Sequence, residues 1–309
     1  MSRHEKKNIA HSFLERLLNR AKVNKEDFNL LLSRYGIERF LYRLSISPYS
    51  DRFILKGASL FLVWKGQNYR VTRDADLLGS GNSDIKFLAG IFRDICTIEC
   101  PQDDGMIYLA DSLRAEEIRE DHEYGGVRIT LSGLLNQAKI PLQIDIGFGD
   151  AVTPAPEIIE YPVLFDGPAP RMKAYSRYTL VAEKLEAMMR LGLANSRMKD
   201  FYDIWLLSKL FGFDGMILGQ AITNTFTRRR ISLPAAIPFA LTASFYNDQQ
   251  KQWQWTAFIS KSRPDVPVGS LADIVAELSE FILPVIDALR NEMSFKASWI
   301  PGRGWVSLS

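Results

Sequence analysis

Two aspartates separated by one residue are the side chains in this sequence best placed to share a metal ion. Asp74 and Asp76 lie in the segment TRDADLL, residues 72–78. On a β-strand, side chains at positions i and i+2 project to the same face, so both carboxylates can reach one cation. Hard divalent cations such as Mg²⁺ prefer such oxygen ligands. Because Asp-x-Asp pairs also occur on solvated strand ends and loops, a metal role requires further ligands.

A third aspartate is a candidate for that further ligand. Asp145 lies in the segment IPLQIDI, residues 140–146, where apolar and polar side chains alternate. The alternation places Leu142, Ile144 and Ile146 on one face of a strand and Asp145 on the other. A carboxylate between two isoleucines is costly unless it is paired or binds a metal. The alternative is a charge on the open face of a half-exposed sheet.

A Gly-Ala-Ser turn precedes the aspartate pair. Gly57 and Ser59 flank Ala58 between an apolar, strand-like run at residues 53–55 and a helix-like stretch at residues 60–64. Glycine lets the backbone approach phosphate oxygens, while the serine hydroxyl and nearby amide groups can donate hydrogen bonds to them. A short Gly-x-Ser is weak evidence by itself. Its value lies in its place before the Asp-x-Asp strand.

Charged residues in the C-terminal half form a second candidate cluster. Lys184 lies in a helix-like segment, and Asp200 and Asp203 follow in the segment NSRMKDFYD, residues 195–203. On a helix, Asp200 and Asp203 are about one turn apart on one face, with Lys199 beside them. The alternative is surface charge on helices whose apolar residues form the core.

The hydrophobic pattern predicts the elements that position these residues. Residues 8–45 have the spacing of two or three short amphipathic helices, and residues 125–148 that of a β-hairpin whose turn lies between Ser132 and Lys139. The proline-rich residues 151–173 indicate a linker or an extended edge. Beyond Ser176 the pattern is helical almost to the end, with long periodic stretches at residues 178–193, 198–211, 214–226 and 270–290.

This pattern predicts a mixed α/β (α+β) fold with two domains. Residues 1–165 would form N-terminal helices and the core that contains the three aspartates, and residues 166–309 a helical C-terminal domain. A chain of 309 residues with 47% hydrophobic residues is long enough to bury two moderate cores.

Composition excludes several classes of protein. The formal net charge is +2, so a nucleic-acid partner would have to be bound by a local basic patch. Cys96, Cys100 and three scattered histidines lack the spacing of a zinc site or a disulfide framework. We find no signal-peptide pattern and no apolar run long enough to span a membrane. A protein of the reducing cytoplasm, with no membrane partner, is expected.

The order of these elements resembles the DNA polymerase β-like nucleotidyltransferase superfamily: strand, Gly-Ala-Ser turn, helix, Asp-x-Asp strand, later strand with one aspartate. Further segments resemble the AbiEii-type toxins of abortive-infection toxin–antitoxin systems, and this similarity covers nearly the whole chain. These segments are FILKG (53–57), TRDAD (72–76), AEK (182–184), SRMKDFYD (196–203), AITNTF (221–226) and QWTAF (254–258).

The resemblance implies specific roles for the candidate residues. Asp74, Asp76 and Asp145 would hold two Mg²⁺ ions, the turn at Gly57 and Ser59 would hold the triphosphate of an NTP, and Asp200 would orient Lys184 or the acceptor hydroxyl. The remaining nucleotide ligands implied are Lys184, Arg197 and Lys199. This sequence departs from the family pattern in the helix that contains Lys184. At the position where the family pattern has an arginine after the lysine, this chain has Leu191, and Arg190 lies one place earlier.

The resemblance further implies an enzyme that transfers a nucleoside monophosphate from an NTP to RNA. The 3′ end of tRNA is the acceptor of some relatives, the context is phage defence, and a cognate antitoxin is an expected partner. A basic and aromatic surface for RNA is expected from Arg228 to Arg230, Lys251, Trp253 and Trp255. The alternatives are a protein or small-molecule acceptor, a two-metal nuclease, and a binding module with a dead site. The presence of all three aspartates and of Lys184 disfavours the dead site.

Overall fold

The computed structural model describes residues 3–66, 74–118 and 125–307, with side chains from residue 8 onward. The motif residues Thr72 and Arg73 therefore lie outside the described residues. The chain divides into two compact units, the first made of Met1–Gly149 with Glu157–Ala174 and the second of Asp150–Pro156 with Tyr175–Ser309. The domain boundary after residue 165 stays a prediction.

The first unit is a mixed α/β structure, as the sequence predicts. Its sheet has seven strands in the order β3-β4-β5-β2-β1-β7-β6, where β2–β5 and β1–β7 are parallel pairs and the other neighbours are antiparallel. The helices are α1 (Arg3–Asn24), α2 (Phe28–Ile46), α3 (Leu60–Lys65) and α4 (Ile85–Cys96). The strands are β1 (Phe53–Lys56), β2 (Asp74–Gly79), β3 (Met106–Ile118), β4 (Gly126–Leu135), β5 (Ala138–Phe148), β6 (Glu157–Glu160) and β7 (Arg171–Ala174).

Two long helices replace the two or three short ones that the sequence predicts near the N-terminus. Residues 25–27 separate α1 from α2, and the Asp27 carboxylate caps α2 by accepting a hydrogen bond from the Leu30 amide. Helix α2 packs closely on β5, because a Cβ placed on Gly36 would lie 3.0 Å from Ile140 Cγ2. The helix therefore covers the apolar face of the strand that contains Asp145.

The β4–β5 hairpin is confirmed, but its turn is tighter than predicted. The strands continue through Leu135 and resume at Ala138, so only Asn136 and Gln137 form the turn. Asn136 adopts φ 55°, a conformation that asparagine tolerates better than most residues. Alternation along both strands buries one face and leaves the other half-exposed.

A buried ion cluster joins α2 to the segment before β3. The Asp104 carboxylate accepts hydrogen bonds from Arg39 and from both terminal nitrogens of Arg43, at 2.7–3.1 Å, and from the Met106 amide. Burial would raise the pKa of Asp104, but the hydrogen bond and charge of Arg43 outweigh it, and the pKa is lowered. This cluster therefore ties α2 to the start of β3.

The second unit is mainly helical, and its predicted helical stretches are confirmed. A small sheet, in the order β10-β9-β8, was not predicted. The aromatic core of the second unit includes Phe281, whose ring stacks with Trp305 and contacts Trp299 and Phe213 edge to face. The helices are α5 (Arg177–Leu191), α6 (Met198–Leu210), α7 (Gly215–Arg228), α8 (Ala243–Tyr246), α9 (Gln249–Ser262) and α10 (Leu271–Arg290), and the strands are β8 (Phe213–Asp214), β9 (Ala297–Ile300) and β10 (Gly304–Ser307).

The proline-rich segment 151–173 is not a simple linker, since it contains β6 and the start of β7, and β6 forms one edge of the large sheet. Within the described part of the chain, no helix combines the length and the apolar character needed to cross a membrane.

Candidate active site

The three predicted metal ligands lie together on the half-exposed face of the large sheet. Strands β2 and β5 are parallel neighbours, with Asp76 opposite Asp145 and Asp74 opposite Gln143. One carboxylate oxygen from each aspartate lies within 4.8 Å of the others, and all three residues are half-buried. An all-oxygen donor set at this spacing fits the preference of Mg²⁺ and similar hard cations. The donor set of the first unit therefore suits a divalent metal.

Asp145 has a partner that the sequence analysis missed. Arg128 on β4 lies directly opposite it and donates from Nε to Oδ1 and from Nη2 to Oδ2, both at 2.8 Å. Gln143 Nε2 lies 3.2 Å from each of the same oxygens. The hydrogen bonds to Asp145 raise the pKa of Arg128, so the guanidinium keeps its charge.

Charged residues form a continuous row across five strands at this level. Each residue is the register partner of the next, and the row holds cations and anions on neighbouring strands. The row runs Lys56, Asp76, Asp145, Arg128, Glu116. In the parallel row two residues earlier on β2, Asp74 lies opposite Gln143, which in turn lies opposite Thr130, so the two neighbours of Asp74 in that row are neutral. Arg128 is thus the basic member of the row that pairs with the predicted third ligand.

The Gly-Ala-Ser turn approaches the aspartates so closely that a glycine is required at its start. Gly57 has φ 76°, in the left-handed region, and a Cβ placed on it would lie 2.0 Å from Asp76 Oδ2 and 2.8 Å from Asp76 Cβ. The sequence predicts a glycine that lets the backbone approach a phosphate. The structure shows that this glycine admits the Asp76 carboxylate.

Ser59 lies at the start of α3, as predicted, and its hydroxyl already has an acceptor. Ser59 Oγ donates to the Lys56 carbonyl oxygen at 3.2 Å, and the residue is buried. This bond closes the turn between β1 and α3. Phosphate binding by Gly57 and Ser59 stays a prediction.

In the second unit, Lys184 and the two aspartates of α6 form a buried ion cluster. Lys184 Nζ lies 2.8 Å from Asp200 Oδ1 and 2.8 Å from Asp203 Oδ2. Both carboxylates are fully buried, and the lysine side chain is 9% exposed. The two aspartates, spaced one helical turn apart as the sequence predicts, therefore contact the same ammonium group. The surface-charge alternative is wrong for these three residues.

Arg197 completes this cluster from the turn before α6. Its Nε donates to Asp200 Oδ2 at 2.7 Å, while Lys199 is exposed. Burial would raise the pKa of Asp200, but the charges of Lys184 and Arg197 and the hydrogen bond from Lys184 outweigh it, and the pKa is lowered. Asp200 thus contacts the Lys184 ammonium directly, and its role in orienting Lys184 or the acceptor hydroxyl stays a prediction.

A second ion cluster surrounds Glu186 on the same helix as Lys184. Glu186 is fully buried and accepts hydrogen bonds from Arg190 at 3.1 Å and from Arg229 at 3.0 Å. Arg229 also donates to Asp150 at 2.8 Å. Arg190, the displaced arginine of the family pattern, is thus tied to its own helix.

The predicted basic and aromatic surface exists only in part. Arg228, Arg230 and Trp253 are exposed. Lys251 is 3% exposed and donates from Nζ to the Asn195 carbonyl oxygen, and Trp255 is 4% exposed. The prediction is wrong for these last two residues, because a helix that packs on its neighbour must bury one side chain in every three or four.

A known protein family matches most of this chain. The sequence pattern of the family described as nucleotidyl transferase AbiEii toxin, type IV toxin–antitoxin system, matches residues 39–281. The crystal structure of JHP933 from Helicobacter pylori is 15% identical, with 90% of this chain and 95% of that chain covered and a TM-score of 0.46. A second H. pylori structure, of a provisionally assigned nucleotidyltransferase, is 16% identical, with 91% and 99% covered and a TM-score of 0.47. No curated protein matches.

Replacing Gly57 by alanine should destabilise the protein by more than a left-handed φ alone explains. Gly66→Ala is the matched control, because Gly66 has φ 73° and a Cβ added there would meet no atom of the described residues within 4 Å. We expect Gly66→Ala to cost about 1 to 2 kcal/mol and Gly57→Ala at least about 1 kcal/mol more, since Asp76 must also move. Urea unfolding of both variants measures the difference. Equal losses would show that the close approach to Asp76 is not a constraint.

Replacing Lys184 by methionine should destabilise the second unit through its buried carboxylates. Asp200 and Asp203 would lose their shared ammonium, which we expect to cost about 3 to 5 kcal/mol, whereas the exposed control Lys199→Met should change stability by less than about 0.5 kcal/mol. Urea unfolding at neutral pH measures both.

The same cluster predicts a pH dependence. Because the folded protein lowers the pKa of Asp200, this carboxylate contributes stability above its unfolded pKa, and that contribution is lost as the pH falls through the acidic range. Lys184→Met should reduce this loss of stability, because it removes the cation that lowers the pKa of Asp200 most. Arg197 and Lys199 remain near the carboxylate. Identical pH profiles for Lys184→Met and the wild type would contradict the assignment.

Proposed function

The chain belongs to the AbiEii family of nucleotidyltransferase toxins from type IV toxin–antitoxin systems, and we propose that it uses Mg²⁺ to transfer a nucleoside monophosphate from an NTP to RNA. The 3′ end of tRNA is the proposed acceptor, because it is the acceptor of some members of the family that the motifs resemble. Toxin–antitoxin membership implies an antitoxin partner, and the NTP and tRNA substrates favour action in the cytoplasm.

The clustering of three carboxylates on β2 and β5 is the observation that supports this proposal most directly. Asp74, Asp76 and Asp145 supply oxygen ligands from two adjacent parallel strands, with atoms within 4.8 Å of one another. When bound there, Mg²⁺ would supply charge stabilisation for the acceptor oxygen and for the leaving pyrophosphate. The protein fixes the ligands beforehand, because buried strand residues lie on both sides of Asp76 and Asp145, and buried Ala75 follows Asp74.

The transfer makes one bond and breaks another at the α-phosphorus of the NTP. The oxygen of the acceptor hydroxyl forms a bond to the α-phosphorus, the bond from this phosphorus to the bridging oxygen breaks, and pyrophosphate leaves with the electron pair. The hydroxyl proton passes to a basic oxygen, for which the carboxylates of the site are the nearest candidates on this sheet face. Such a reaction depends on positioning and charge stabilisation more than on covalent chemistry by the protein.

The nucleotide ligands of the proposal come from the motif residues. We propose Gly57 and Ser59 as phosphate ligands in the first unit, and Lys184, Arg197 and Lys199 as nucleotide ligands in the second. The buried carboxylates of α6 hold the Lys184 ammonium at 2.8 Å, so its position is fixed before any ligand binds. A fixed cation loses less conformational entropy on binding a phosphate than a mobile surface lysine does.

Replacing Asp74 or Asp76 by asparagine should abolish transfer while leaving the fold intact, because the aspartates repel one another without a cation. Purified protein is incubated with Mg²⁺, each α-labelled NTP in turn and total cellular RNA, and the labelled species are resolved on a gel. Asp51→Asn, the same chemical change on an exposed residue of the same unit, is the control and should label RNA like the wild type. Transfer above about a tenth of the wild-type rate in either variant would remove that residue from the metal site.

Parallel reactions with a protein extract and with a small-molecule extract identify the acceptor. Label in a tRNA-sized band supports the proposal. Label that appears only in protein or in small molecules would replace RNA as the acceptor. Degradation of RNA without label would favour a nuclease that uses the same three aspartates.

Growth inhibition should depend on catalysis. Adding nucleotides to the 3′ end of tRNA consumes a hydroxyl that translation needs, so expression of the wild type should arrest growth and expression of Asp76→Asn should not. Asp51→Asn, expressed to the same level, should arrest growth like the wild type. Arrest by Asp76→Asn would instead support the binding-module alternative.

A further inference from the structure

Asp145, the predicted third metal ligand, already has a cationic partner. Arg128 contacts both oxygens of Asp145 at 2.8 Å, and Gln143 lies 3.2 Å from both. The two side chains of the ion pair are partly exposed, at 34% for Arg128 and 18% for Asp145. The pair is therefore accessible to ions and ligands from solvent.

Hydrogen bonds and metal coordination compete for the same lone pairs of Asp145. A carboxylate offers about four lone-pair directions in its plane, of which a bidentate arginine takes two. The Gln143 amide occupies part of the remaining lone-pair directions. Asp145 can thus coordinate a cation while Arg128 is bound, but with few directions left for it.

The charge of Arg128 also opposes a metal ion directly. The three aspartates have a formal charge of −3 when ionised, and Arg128 offsets one of these charges. Additional negative charge at the site would offset the charge of Arg128 in turn. A nucleoside triphosphate supplies that charge, and Arg128 attracts it for the same reason that it repels the metal.

We propose that Arg128 makes tight metal binding by Asp74, Asp76 and Asp145 depend on the presence of nucleotide. Arg128 acts through Asp145 and is a positioning residue. The inference rests on the proposed function, because it takes an NTP to be the anion that relieves the repulsion. Its consequence is that removing Arg128 strengthens metal binding in the absence of nucleotide.

Binding of Mn²⁺ to the full-length protein tests this inference. Free Mn²⁺ is measured by electron paramagnetic resonance, first without nucleotide and then with the α,β-methylene analogue of each common NTP, which cannot be cleaved at that position. The variants are Arg128→Gln, Arg128→Lys and Arg114→Gln. Arg114 is the matched control, because it lies on β3 and donates to the backbone carbonyls of Asp111 and Leu113.

Arg128→Gln should bind Mn²⁺ alone about tenfold more tightly than the wild type, the order expected for removing one charge a few ångströms from a divalent ion in a water-like dielectric. The tightening produced by the nucleotide analogue should shrink by a similar factor. Arg128→Lys keeps the charge without the bidentate fork, and its Mn²⁺ affinity should stay within about threefold of the wild type. Arg114→Gln should match the wild type in both measurements.

Weaker Mn²⁺ binding by Arg128→Gln would overturn the inference and assign Arg128 to orienting Asp145 alone. An affinity equal to that of Arg114→Gln would overturn it as well. Thermal unfolding of each variant confirms that the fold is retained, and Arg128→Lys serves if Arg128→Gln does not fold. Failure of the wild type to label any acceptor would refute the proposed function, whereas the binding of Mn²⁺ alone is measured without reference to an acceptor.

Discussion

Mutual repulsion among three carboxylates is the constraint that the first unit must satisfy. Two unit charges about 5 Å apart repel by about 1 kcal/mol in water and by about 3 to 4 kcal/mol at an effective dielectric of about 20. The opposing force is burial: Leu77, Ile144 and Ile146 alternate with the aspartates and are at most 1% exposed. Each such side chain contributes roughly 1.5 to 3 kcal/mol when buried. The strands therefore cannot turn their carboxylates apart without exposing the core.

The same constraint explains the turn that precedes the aspartates. Antiparallel pairing of β1 and β2 places Lys56 opposite Asp76, and the chain then turns directly over that carboxylate. Only a residue without Cβ fits there, since Gly57 combines a left-handed φ with a 2.0 Å approach of its Cβ position to Asp76 Oδ2. The glycine of the motif is thus explained by packing against a predicted metal ligand, whether or not a phosphate also binds the turn.

Local patterns were sufficient to predict the β4–β5 hairpin and the long helices of the second unit, but not its small sheet. Register was needed to predict partners. Alternation predicts that Asp145 lies on the other face of its strand from its apolar neighbours, and the periodic stretches predict the long helices. Both signals depend on residues that are close in sequence. Arg128 was missed although the same alternation places it on the polar face of β4. The predicted strands end near residues 131 and 140, and pairing those ends puts a residue other than Arg128 opposite Asp145. The observed register is set by the two-residue turn that begins at Asn136. The burial of Lys251 and Trp255 likewise depends on tertiary packing.

The two charged clusters of this chain differ in how their charges are balanced, and that difference bears on their roles. Around the three aspartates negative charge exceeds positive charge on a half-exposed face, which favours a cation from solvent. Around Lys184 the buried carboxylates of α6 are matched by Lys184 and Arg197, with 2.7–2.8 Å contacts. Buried ion pairs are often no more stabilising than apolar side chains of similar volume, so stability alone does not explain why charges occupy this position. A lysine held rigidly between two aspartates keeps its charge at one point, which is the property that a ligand for a polyphosphate requires.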